Sequence, residues 1–64
     1  MDNKRGSSFA GAADLVAHAD TARQHLAELS LACTNGDKSA ARTALRKAIS
    51  ELELARAMLR IGTD

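Results

Sequence analysis

One pattern limits what this chain can become: small and large apolar residues alternate at helical spacing, twice. Between Ala40 and Ile61, the residues Ala41, Leu45, Ala48, Leu52, Ala55 and Leu59 follow one another at steps of 4-3-4-3-4. That spacing places all six on a single stripe of an α-helix. Upstream, Leu15, Ala19, Ala22, Leu26, Leu29 and Cys33 repeat the same steps. Alanine at one seam position lets two helix backbones approach closely, while leucine at the other fills the space beside them. Two stripes of one period and similar length predict an all-α fold, an antiparallel two-helix hairpin. Leu52, midway between Ala48 and Ala55, is expected to be a buried keystone of the seam.

The segments between the stripes fit that plan. Thr34-Asn35-Gly36-Asp37-Lys38-Ser39 separates them; Gly36 suits the left-handed residue that closes a helix, and either Asp37 or Ser39 suits the N-cap of the next. The expected hairpin covers residues 9–62, with a first helix over 9–34, a turn over 35–37 and a second helix over 38–61. Gly62 is expected to stop the second helix, with Arg60 well placed against its macrodipole. Residues 1–8, MDNKRGSS, are polar and aperiodic and read as a flexible tail ending in a cap at Ser7 or Ser8. Residues 63–64 are the C-terminal end.

With 64 residues there is room for one small domain, and chains this short bury little surface without disulfides, metal or oligomerisation. The chain has one cysteine, so neither an internal disulfide nor a zinc-type cluster can supply the missing stability. A partner is therefore expected. It is either a second copy, giving a four-helix bundle from two hairpins, or a foreign helix lying in a groove. Phe9 and Leu31 lie off the stripes, as do Val16, Ile49, Leu54, Met58 and Ile61. These last five are the candidate partner-binding residues, because soluble monomers seldom expose many large apolar groups together. Leu54, Met58 and Ile61 share a 4-3 spacing suited to receiving a helix.

Charge divides between the helices. Residues 9–34 carry Arg23 against Asp14, Asp20 and Glu28, a balance of −2. Residues 37–61 carry Lys38, Arg42, Arg46, Lys47, Arg56 and Arg60 against Asp37, Glu51 and Glu53, a balance of +3. Arg42 with Arg46 and Arg56 with Arg60 form two basic pairs about 21 Å apart along the second helix. A phosphate backbone could span them, so these four arginines are the candidate nucleic-acid contacts; the segment has no aromatic residue for base stacking. His18 and His25, in a row with Asp14, Thr21 and Glu28, read as a polar flank of the seam. About 10.5 Å of helix separates the two histidines, too much for one metal ion. Cys33 reads as a small buried hydrophobe. No nucleophile–base set, carboxylate pair or phosphate-binding glycine loop is present, so neither catalysis nor a cofactor is expected. No apolar run reaches the length of a membrane span and no signal-peptide core is visible; the cytoplasm is the expected location.

Two families resemble this plan. A helical hairpin of this length with alternating small and leucine layers looks like the Rop-type RNA-binding regulators of plasmids. That resemblance implies a dimeric four-helix bundle that grips paired RNA loops. The Gly36-Asp37 turn, followed by an apolar second helix ending in ELELARAMLRIG, is similar to the small helical-hairpin co-chaperones of type III secretion needle subunits. That second resemblance implies pairing with a helical-repeat chaperone to sequester an aggregation-prone helical subunit. The reading that joins these features is a non-enzymatic hairpin acting through protein–protein interaction, as a regulatory adaptor or secretion co-chaperone. The alternative is a dimeric RNA-binding regulator.

Overall fold

A computed structural model describes residues 9–63, and of residues 61–63 the backbone alone. Two helices make up the described chain: α1, Ala12–Thr34, and α2, Lys38–Thr63. Fourteen alanines and no proline explain why both run uninterrupted. They fold back on each other as an all-helical hairpin, and two helices side by side make a single layer. No helix among the described residues is long and apolar enough to cross a membrane.

The turn is built by hydrogen bonds that its sequence makes available. Gly36 takes a left-handed φ of 72°. Its N–H donates to the Cys33 carbonyl at 3.1 Å, and the Asp37 N–H donates to the Ala32 carbonyl at 2.8 Å. This paired closure satisfies carbonyls that the end of α1 would otherwise leave bare. Asp37 then opens α2: its carboxylate accepts from the Ala40 N–H at 3.0 Å, three residues into the helix, where an N-cap side chain reaches. Between the two expected candidates, the cap is Asp37, and Ser39 lies inside the helix.

The helix ends depart from expectation by a few residues. α1 begins at Ala12 rather than at residue 9, because Gly11 holds a left-handed φ of 83° and diverts the chain before the first turn. The Ala12 N–H donates back to the Phe9 carbonyl at 3.0 Å, closing a turn outside the helix. The caps expected at Ser7 or Ser8, and the tail before them, lie outside the described residues. α2 continues through Gly62 to Thr63 instead of stopping at the glycine, which adopts right-handed helical angles as readily as left-handed ones.

The seam departs from expectation more deeply. The buried residues are Ala22, Ala32, Ala44 and Ala48, all alanines. Around them, Leu15, His18, His25 and Leu29 of α1 and Ala41, Glu51, Ala55 and Met58 of α2 are half-buried. The inward rows are thus 15, 18, 22, 25, 29, 32 and 41, 44, 48, 51, 55, 58. Half of each expected stripe is present. The other half, Ala19, Leu26 and Cys33 with Leu45, Leu52 and Leu59, sits one residue further along, rotated by about 100°. Leu52 is 49% exposed and is no keystone of the hairpin, and Cys33 is exposed rather than buried. The physical reason is that closest approach falls where side chains are smallest. With one layer, nothing lies above the leucines to enclose them.

Candidate interaction face

The 100° step between successive residues makes the two broad faces of the hairpin chemically different. In an antiparallel pair of right-handed helices, the residue following each inward position turns toward the same face on both helices. That rule gathers Ala19, Leu26 and Cys33 with Leu45, Leu52 and Leu59 on one side. Leu15, Ala22 and Leu29 with Ala41, Ala48 and Ala55 form its floor. Leu26, Leu45, Leu52 and Leu59 are between 41% and 49% exposed, standing as walls above a floor whose centre, Ala22 and Ala48, is closed to solvent. No carboxylate occupies any of these twelve positions.

The opposite face is polar. His18 Nδ1 lies 2.7 Å from Glu51 Oε1 across the seam, and His25 Nδ1 lies 3.1 Å from Glu28 Oε1 one turn along α1. The two histidines therefore stand in the seam, where the sequence suggested its flank. The His18–Glu51 hydrogen bond joins the two helices across the seam. Among the described residues no three His, Cys, Asp or Glu side chains gather as a metal ion would require.

The five residues marked as partner-binding by sequence are dispersed. Val16 and Ile49 are exposed on the outer edges of α1 and α2, beside the leucine face. Leu54 is also exposed, but five residues from Ile49, or about 140° around the helix, so it belongs to the polar side. Met58 is half-buried in the seam, and a Cβ placed on Gly11 would meet its Cε at 4.0 Å. Ile61 lies in α2, with its side chain outside the described residues. Val16, Ile49, Leu54 and Met58 do not form one contiguous patch. The residues that do, Leu26, Leu45, Leu52 and Leu59, were assigned by sequence to the interior. Their signal was present in the 4-3 stripe itself; only the direction in which it points differed.

Arg42, Arg46, Arg56 and Arg60 are all exposed. With Ile49 and Glu53 between them they continue at 4-3-4-3-4 steps, a single outer stripe of α2 adjoining the leucine walls. Arg23 of α1 pairs with Asp20 on the exposed outer side. The concavities are shallow: the one lined by Glu53, Arg56, Ala57 and Arg60 opens broadly to solvent. Comparison with known protein families, curated proteins and solved structures finds no match for this chain.

Proposed function

We propose that this chain works by association rather than by chemistry. Its leucine face packs on another helical layer, and the first such layer is a second copy, giving a four-helix bundle from two hairpins. One observation carries the reading: Leu26, Leu45 and Leu52 stand half-exposed together over a floor of alanines, on the face opposite the one that bears His18, His25, Glu28 and Glu51. Contiguous apolar surface of this kind marks interaction sites in soluble proteins. With a foreign amphipathic helix in place of the second copy, the same face would serve an adaptor or co-chaperone.

A second reading rests on the outer stripe of Arg42, Arg46, Arg56 and Arg60, whose spacing would suit a phosphate backbone and whose number doubles in a dimer. The two readings use different residues and separate cleanly. Leu45→Ser with Leu52→Ser should weaken association, while Arg42→Ala with Arg46→Ala should leave it within about twofold, since exposed charges contribute little. Binding of the native chain to a mixed RNA pool, with an affinity that falls steeply as salt rises and is lost in the arginine variant, would favour the second reading instead.

A further inference from the structure

We infer that the two copies stack leucine face to leucine face with their turns at opposite ends. This rests on the self-association proposed above and adds its geometry. α1, at 23 residues, is about 34 Å long, and two helices side by side are about 20 Å wide. The face thus offers about 700 Å² per copy, close to the roughly 800 Å² per partner of a standard stable interface.

The orientation follows from the order of layers along that face. The register in which His18 meets Glu51 stacks five layers in sequence, with Leu59 beyond the first and Cys33 beyond the last: Leu15 with Ala55, Ala19 with Leu52, Ala22 with Ala48, Leu26 with Leu45, and Leu29 with Ala41. Turning the second copy end over end about the Ala22–Ala48 layer sets Leu26 and Leu45 on the other copy's Ala19 and Leu52. Both such layers then hold three leucines and one alanine, the outer two hold two of each, and the central layer holds four alanines. Placing the turns at the same end instead stacks every layer on its own equivalent. Four leucines then adjoin four alanines, and the next layer holds two of each. The four central alanines are common to both orientations. Opposed turns share six leucines evenly between the two flanking layers, whereas adjacent turns crowd four into one and leave two in the other. Cores tolerate an overfilled layer poorly.

Surface charge pulls the other way. With turns opposed, Arg42 of one copy approaches Arg56 of the other, and the two Arg23 side chains approach each other. These groups are exposed, and Arg23 is already paired with Asp20. A mispacked core layer costs several times what exposed like charges do, so packing decides the orientation.

The test places a nitroxide at the turn of the full chain, using Asn35→Cys on a Cys33→Ala background, and measures the label-to-label distance by pulsed electron resonance. The dimer mass is determined on the same sample. Opposed turns predict about 39 Å, from the rise of thirteen residues on each side of the central layer. Adjacent turns predict about 14 Å, the diagonal of a four-helix bundle with its usual helix spacing. A dimer with the short distance overturns the orientation and leaves self-association standing. A labelled chain that sediments as a monomer, as does the native chain, overturns both.

Discussion

Leu52→Ala distinguishes a residue that holds the hairpin together from one that holds two hairpins together in the proposed dimer. Leu52 keeps 49% of its surface in the hairpin, so about half of the roughly 1.5–3 kcal/mol that full burial of a leucine confers remains for association. A dimer covers two such residues, which gives about 1.5–3 kcal/mol in total, or a dissociation constant raised by about 10- to 150-fold. The cost to an isolated hairpin is smaller, about 1 kcal/mol, because only the half already covered is lost. Sedimentation equilibrium of the native and substituted chains over a wide concentration range measures the first quantity. Urea melts at low concentration, where the monomer dominates, measure the second. A dissociation constant that moves by less than about twofold would refute the argument, since Leu52 would then face water in the assembled state too.

Other perturbations probe the hairpin itself. Ala48→Leu forces extra carbons into the closed centre of the seam and should destabilise by about 1–3 kcal/mol in a thermal or urea melt. Gly36→Ala should lose about 1–2 kcal/mol through its left-handed φ alone, because an added Cβ meets nothing within 4 Å; Gly36→Asn should lose less, since asparagine tolerates that region. Asp37→Ala should cost about 1 kcal/mol by freeing the Ala40 N–H, with the loss visible as fraying of the first turn of α2 in amide exchange.

Much of this arrangement was legible in the sequence, and the part that was not has a definite cause. The paired stripes gave two antiparallel helices, and the Gly36-Asp37 step gave the turn with its left-handed closure and its N-cap. Gly11 was the local miss: a glycine three residues before Asp14 was a readable stop, but the apolar residues around it drew the helix back to Phe9. The seam was the larger miss. Hydrophobicity ranks Leu45, Leu52 and Leu59 above Ala44, Glu51 and Met58, and by that ranking alone the leucines face α1. Helix contact in a single layer is governed by size, and Ala44 and Ala48 permit a closeness that leucine forbids. The positions between them then go inward whatever their polarity, and His18 meets Glu51 there at 2.7 Å, each satisfying the other. The 4-3 stripe therefore points along the bisector between the α1–α2 contact and the open face. A four-helix bundle would use that direction as its core, and a lone hairpin cannot.

The candidate site was hidden for the same reason. Val16, Ile49, Leu54, Met58 and Ile61 are the large apolar residues that remain when the whole stripe is placed inside. When half of the stripe turns outward by one residue, Val16 and Ile49 fall on the outer edges, Leu54 on the polar face and Met58 in the seam, and the leucines of that half become the exposed apolar surface.

Whether a second copy covers the leucine face is read from sedimentation equilibrium of the native chain. The proposed dimer gives a mass near twice the 6.7 kDa of the chain at micromolar concentration, falling toward the single-chain value on dilution, with thermal stability falling in step by mass action. A single-chain mass at every concentration, with a cooperative melt at one unchanging temperature, would contradict it.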